Sequence, residues 1–382
     1  MKECVLEKPT LHIGQIGTGY IGKTHAIAYS AAPSVFDLSA SVALSALADI
    51  DAEAVKRRAQ AWGFARYTTD WTAIIEDPEI DIVDICTPNY LHEEMALAAI
   101  EAGKAIYMEK PLALTYQSAQ KLADRAREKN IKTLVGFNYI RNSAVQYAKQ
   151  LIQTGVIGEV VQFRGQHNED YMASAQAPGG WRTERKKGGS GALGDLGAHI
   201  INMAQFLVGD IEQVCGLCQQ VVSKRPAVGR DTLAAVENED AAYALVKFAN
   251  GARGTLETSR VAWGAKLGLC FELIGTKGAI RFDQERLSEI QLYKADDADA
   301  EQGFKTILMG PAHPDYENFC VASGHGLGFN DMKIIEIRDL IDGVMGKRIL
   351  WPDFTAAAAV NAVMEAIEIS DKEQQWVSIA AL

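Results

Sequence analysis

"GQIGTGYIGKTHA", residues 14–26, decides how the first third of the chain folds. A short apolar lead gives way to Gly17, Gly19 and Gly22, spaced by two and three. So little side chain between an apparent strand and an apparent helix suits a ligand that must approach the backbone. Gly17 permits a tight turn, Gly19 lets a pyrophosphate reach the main chain, and Gly22 lets helix and strand pack closely. The helix start then offers free N–H groups and partial positive charge to the phosphates, with Thr18, Tyr20 and Ile21 completing the loop. The next apolar run ends in "ALADID" (46–51), which supplies Asp49 for the ribose hydroxyls. Asp49 lies 32 residues beyond Gly17, and "SAAPSVFDLSA" (30–40) reads as the lengthened connection that accounts for the interval. An acid there repels a 2′-phosphate, and no arginine follows immediately, so NAD is favoured over NADP.

Outward from this loop, short β-branched runs alternate with helical patterns. "LHIGQI" (11–16), "VALSALA" (42–48), "DIVDICT" (81–87), "AIYME" (105–109) and "TLVGF" (133–137) read as strands. Between them, "LHEEMALAAIEAG" and "TYQSAQKLADRAREKN" carry apolar residues at helical spacing with charges opposite. Continuous apolar strands joined by amphipathic helices predict a doubly wound parallel sheet, a Rossmann domain over 1–137. After about residue 138 the pattern changes. "EVVQFRGQH" (159–167), "AAYALVKFA" (241–249), "ARGTLETSRVA" (252–262), "GLCFELIG" (268–275) and "AIRF" (279–282) predict an open antiparallel sheet. The Asn250-Gly251 pair is a hairpin signal between two of these strands. Two helices near 330–346 and 355–370 complete an α+β domain over 138–382.

The bulk numbers agree with two domains, since 382 residues exceed what one hydrophobic core usually organises. A net charge of −11 without a long basic run argues against a nucleic-acid or acidic-membrane surface. "CGLC" (215–218) has zinc-like spacing, but no second pair or nearby histidine completes it, and its alternating context reads as core packing. No metal is expected. "MKECVLEKPT" (1–10) lacks a signal-peptide core and no apolar stretch reaches spanning length, which predicts a reducing cytoplasm.

Two further stretches carry chemistry. "YMEKPLALT" (107–115) puts Glu109 and Lys110 at a strand's C-terminal end, the edge where α/β sheets bind ligands. Pro111 keeps Lys110 out of helical dihedrals and makes a cis bond available. Read alone, Lys110 is equally a surface lysine before a strand-ending proline. "GGSGALGDLGAHIINMAQFLVG" (188–209) reads from Asp195 as a helix on which Asp195, His199 and Asn202 share a stripe beside an apolar one. Taken alone, Asp195 is a helix cap and His199 a core histidine. Gly197 inside the helix costs about 1 kcal/mol against alanine, so a neighbour needs that room.

The motifs GTGYIG, CTPNYLHEEMALAAIEAGK, MEKPLALT and GDLGAHIIN, in this order, resemble the Gfo/Idh/MocA family of oxidoreductases over essentially the whole chain. The resemblance implies a Rossmann domain, then an open sheet whose outer face mediates homodimers or homotetramers. It also implies NAD and a carbohydrate or polyol substrate. By position, Lys110 matches the lysine of the family's E-K-P motif, and Asp195 and His199 match the aspartate and histidine of its catalytic helix. Asn202 stands where the pattern often has an acid, which weakens a charged role there. Thr87, Pro88, Asn89 and His92 are implied on the nicotinamide side. Asn168, Asp170 and Tyr171 in "QHNEDY" (166–171), with Trp181 and Arg182, are substrate-pocket candidates suited to a polyol. His325 in "GHGLGFND" (324–331) is a further, unranked one.

The chemistry fits these roles. Taking hydride from a secondary alcohol needs a base for the hydroxyl proton, and imidazole titrates near neutrality. His199 is the expected base, Lys110 stabilises charge on the oxygen, and Asp195 orients the imidazole or bonds the substrate. The expectation is NAD-dependent oxidation of one secondary hydroxyl of a sugar, inositol or related cyclic polyol. The rivals are an NAD-dependent glycosidase, a keto-sugar reductase and a non-catalytic sensor.

Overall fold

A computed structural model describes residues 8–229 and 232–382. Most of the N-terminal decapeptide read above, residues 1–7, lies outside the described residues. The chain forms two compact units, and their boundaries cross the chain order. The first gathers residues 1–112, 118–138 and 329–356, and the second gathers 113–117, 139–328 and 357–382. A cut at 137/138 therefore assigns residues 329–356 to the other unit.

In the first unit the strands are β1 (Thr10–Ile16), β2 (Ser41–Ala48), β3 (Arg66–Thr68), β4 (Ile82–Ile85), β5 (Ala105–Met108) and β6 (Thr133–Val135). They pair in the order β3-β2-β1-β4-β5-β6, all parallel. That is the doubly wound dinucleotide-binding order, whose switch point lies between β1 and β4. β3 is too short and exposed to announce itself by pattern. Helix α1 (Tyr20–Val35) follows the glycine loop, and α2 (Ala52–Trp62) follows β2. The stretch expected to be a connection from residue 30 is instead the end of α1, with Pro33 inside the helix. Burial of Ala28, Tyr29 and Ala32 outweighs the one N–H that Pro33 lacks. The long interval to Asp49 thus comes largely from a 16-residue helix. Ala26, Leu47, Val55, Ala59 and Phe64 form a core between α1, α2 and the sheet.

The second unit holds a nine-stranded sheet among the described residues. Its central strand is β7 (Val160–Asn168). The later strands include Ile211–Gln219, Ala241–Phe248, Arg253–Ser259, Gly268–Gly275 and Gly278–Asp283. The sheet is mixed rather than wholly antiparallel, because Arg253–Ser259 runs parallel to β7. Strand pattern alone carries no signal of direction, which is why the sequence reading misses this pair. Alternation along Ala241–Phe248 buries Ala242, Ala244, Val246 and Phe248 while Tyr243 and Leu245 stay exposed. Cys215 and Cys218 are half-buried on opposite faces of Ile211–Gln219, so they are not the packed core pair expected. No helix among the described residues is long and apolar enough to cross a membrane.

The glycine-rich segment before His199 is not a plain α-helix. Leu193–Gly197 is a π-turn, and the α-helix runs over Ala198–Leu207. Gly191 allows this tight start, since a Cβ there would lie 1.9 Å from the Glu239 carbonyl oxygen. Gly191→Ala is therefore expected to cost about 1–3 kcal/mol by overpacking. The measurement is a lower urea midpoint at unchanged slope; an unchanged midpoint would show that the backbone gives way.

Candidate functional site

The glycine loop has the form a pyrophosphate needs. Gly17 adopts φ +104°, a conformation that side chains rarely take, and its N–H donates to the Ala48 carbonyl at 2.8 Å. A Cβ on Gly22 would lie 2.3 Å from the Gly17 oxygen, so this glycine serves close packing. A Cβ on Gly19 would meet nothing within 4 Å, which leaves that backbone open to a ligand. Gly19 caps α1 without a side-chain bond, and the helix's first turn holds no acid to compete for its N–H groups. Tyr20 is 70% exposed, and its ring stacks 6.2 Å from that of Phe329. Ile21 is half-buried beside it.

Asp49 ends β2 and reaches back to the loop. Its Oδ2 accepts the Thr18 N–H at 2.8 Å and the Thr18 hydroxyl at 2.5 Å. Ile50, the next residue, is 92% exposed, an apolar surface beside the expected adenosine position. These groups fit a dinucleotide: an open glycine backbone, an uncapped helix start and an anchored acid.

Below the loop lies a feature the sequence reading did not single out. His25, inside the opening quoted stretch, is fully buried between two carboxylates. Its Nδ1 lies 3.0 Å from both Asp84 oxygens, and its Nε2 lies 3.0 Å from Glu109 Oε1. The ring stacks on Tyr107 at 4.4 Å. Burial and the nearby Lys333 lower the imidazole's pKa, but Asp84 and Glu109 together outweigh them, and the pKa is raised. Both His25 nitrogens face carboxylate oxygens, and Asp84 and the Cys86 sulfur lie close by. Glu109 also accepts from the buried Lys333 at 2.6 Å, and Lys333 donates to Glu336 at 3.0 Å. Burial pushes the Glu109 carboxyl up, yet Lys333 and His25 hold it well below the usual carboxylate range. The charges alternate along Asp84, His25, Glu109, Lys333 and Glu336. Gly136 makes the room, because a Cβ there would lie 2.5 Å from Glu109 Oε1.

This chain of charges ends beside Lys110. The Lys110 N–H faces Glu109 Oε2 at 3.3 Å, and the Lys110–Pro111 bond is cis. His92 is buried, with Nδ1 2.8 Å from the Pro111 carbonyl oxygen and Nε2 3.0 Å from that of Thr87. Burial lowers its pKa. It ties the loop after β4, where Thr87, Pro88 and Asn89 are half-buried, to the turn after β5.

The second unit gathers the remaining candidates. Asp195 stands in the π-turn, a helix irregularity frequent at functional sites. Its Oδ2 accepts the Tyr171 hydroxyl at 2.6 Å, with Arg182 Nε 3.8 Å away. The Arg182 guanidinium lies 4.4 Å over the Trp181 ring. His199 is buried in the following helix, 4.6 Å from the Tyr139 ring in edge contact and 5.6 Å from the His167 ring. Asn202, also buried, has a side-chain amide with no hydrogen-bond partner among the described residues. Asn168 donates to Glu257 at 2.9 Å, whereas Asp170 pairs with Lys266 at 2.6 Å. His325 is exposed, with Nδ1 3.2 Å from the Ala322 carbonyl oxygen.

The segment carrying Tyr171 is pinned from beneath. Buried Arg225 donates to the Met172 and Ser174 carbonyls at 2.7 and 2.8 Å, and Asp240 lies 3.6 Å away. Arg260 bonds Asp240 at 2.9 Å and Asn238 at 3.0 Å. No motif marks these residues. Single charges inside apolar strand ends, such as Asp240 and Arg260, were the available signal.

Comparison with known proteins gives a consistent result. Residues 11–137 match the oxidoreductase family with an NAD-binding Rossmann fold, and residues 145–281 match the GFO/IDH/MocA C-terminal domain. A levoglucosan dehydrogenase from Pseudarthrobacter phenanthrenivorans is 37% identical over 97% of this chain and 98% of its own length. Inositol 2-dehydrogenase from Rhizobium meliloti is 29% identical over 75% of this chain and 80% of its own. A solved levoglucosan dehydrogenase, in complex with NADH and levoglucosan, superposes with a TM-score of 0.94. It is 38% identical and the match covers 97% of this chain and 99% of that one.

The raised pKa of buried His25 has a sign that can be tested. Its pKa is raised on folding, so its contribution is whole below about pH 6.5 and drains as pH climbs through the folded value. From about pH 6.5 up to the raised folded value, stability of the natural chain is expected to fall with rising pH. In His25→Gln that slope should flatten, as read by urea midpoints at each pH. Above that window the buried thiol of Cys86 and the phenols of Tyr29 and Tyr107, whose pKa values burial also raises, add alkaline losses of their own. Equal slopes in both proteins would mean His25 is neutral when folded.

Proposed function

The chain belongs to the Gfo/Idh/MocA family of oxidoreductases, and from that premise we propose that it oxidises one secondary hydroxyl of a sugar or cyclic polyol with NAD. NAD, when bound, supplies the hydride acceptor. The observation that carries the reading is one chain holding the open glycine backbone, the E-K-P lysine and the D-x-x-x-H helix together. Lys110 orients the substrate oxygen and stabilises its developing negative charge. His199 takes the hydroxyl proton at an imidazole nitrogen. Asp195, fixed by Tyr171 and Arg182, bonds a substrate hydroxyl. Tyr171, Trp181 and Arg182 offer an aromatic face and polar groups, the combination that a polyol ring uses. Asn168 and Asp170 are already engaged by Glu257 and Lys266, so they shape the wall of the site.

Levoglucosan, the sugar of the relative at 37% identity, is the first substrate to try, followed by inositols and hexoses. Lys110→Ala and His199→Ala are each expected to lower NADH formation on the active sugar by about 10²–10⁴-fold, with NADH binding retained. Near-normal turnover in either variant would overturn the role given to that residue. Formation of NADH in proportion to sugar consumed separates a dehydrogenase from a glycosidase that re-reduces its intermediate.

We also propose that the working form is a homodimer or homotetramer in the cytoplasm. Exposed Leu217, Tyr243 and Leu245 on neighbouring strands support a second copy of the chain against that sheet face. The five described cysteines are unpaired, as a reducing compartment requires. Light scattering after size exclusion should give a multiple of the 41.5 kDa chain, and a Leu245→Glu variant a lower one. A monomeric natural chain would end the assembly proposal.

A further inference from the structure

The adenosine end of the first unit carries a cation that the glycine fingerprint does not require. Arg58 lies in α2, and its Nη1 donates to the Thr18 hydroxyl oxygen at 2.5 Å. A guanidinium has no acceptor, so the Thr18 oxygen accepts from Arg58 and gives its own proton to Asp49. Asp49 Oδ2 is then filled by the Thr18 hydroxyl and N–H, while Oδ1 takes the Asp51 N–H at a long 3.3 Å. The carboxylate that should reject a 2′-phosphate is therefore linked through one hydroxyl to a positive charge. Guanidinium groups bind phosphate by paired, charge-assisted hydrogen bonds.

We propose that Arg58 makes this pocket accept a nicotinamide dinucleotide bearing a 2′-phosphate as a second, weaker cofactor, with Arg58 pairing with that phosphate. Asp49 keeps the unphosphorylated cofactor preferred through Oδ1. The proposal rests on the nucleotide-binding reading of the loop and is independent of the sugar and of the roles of Lys110 and His199.

The test is binding of NADH and NADPH to the full chain without sugar, read from nicotinamide fluorescence. The natural chain should bind both, NADH more tightly. In Arg58→Met the NADPH Kd should rise about tenfold relative to the NADH Kd, the scale of one lost phosphate pair. Lys56→Met, which removes an exposed charge from the same helix, is the control. A change in the NADPH/NADH Kd ratio greater than threefold in Arg58→Met, and absent in Lys56→Met, supports the proposal. A smaller change, or one that Lys56→Met reproduces, overturns it. In Asp49→Asn the ratio should move toward NADPH, and adding Arg58→Met should abolish that gain; a gain that survives also overturns it. A natural chain that binds neither nucleotide overturns the glycine-loop reading itself and is thereby distinguished.

Discussion

Glu109 is held by two cations, and much of the first unit is arranged around that fact. His25 comes from α1, Lys333 from a helix more than two hundred residues later, and both donate to the same carboxylate oxygen. Removing one partner of a buried ion pair typically costs about 3–5 kcal/mol, because the remaining charge stays out of water. Asp84 and Glu336 extend the pattern at either end, so each interior charge has an opposite neighbour on both sides. Such a chain contributes little net stability beside apolar residues of equal volume. What it contributes is position. The backbone at Lys110 leaves a residue whose side chain is fixed from two directions. His92 adds a second restraint through the Pro111 carbonyl.

The second unit uses the same logic in a different place. Arg225, Asp240 and Arg260 are buried where an antiparallel core would ordinarily be apolar. Arg225 donates to two backbone carbonyls of the segment that presents Tyr171, and Arg260 joins it at Asp240. An irregular segment has few ladder bonds of its own, so its conformation must be imposed from the strands beneath. The π-turn at Asp195 belongs to the same design, with Gly191 and Gly197 admitting neighbours that a Cβ would exclude.

Local features were legible in the sequence; those that depend on distant partners were not. The glycine spacing, the apolar strands of the parallel sheet and the acid at Asp49 each follow from a short window, and the fold agrees with them. The placement of Lys110 after β5 follows from its proline. His25 was in plain view in the opening stretch but carries no pattern; its meaning lies in Asp84 and Glu109, 59 and 84 residues away. Arg58 sits on an ordinary charged helix face and is distinguished solely by reaching Thr18. The end of α1 is hidden from local pattern because Pro33, a strong breaker, is overruled by packing. Strand direction in the second sheet is likewise a property of pairing, not of the strand.

The excursion of the chain between Asn138 and Phe329 bears on how the protein is made. Ribosomes release a chain from its N-terminus, and early domains generally fold as they emerge. Here the first 138 residues emerge with His25, Asp84 and Glu109 but without their ammonium, which waits for residue 333. During synthesis of the intervening 190 residues (139–328), two carboxylates share one imidazole in a half that lacks its last helix. The nucleotide-holding half is thus begun first but closed only after the 139–328 excursion has been made, when residues 329–356 supply its last segment ahead of the second unit's own final stretch, 357–382.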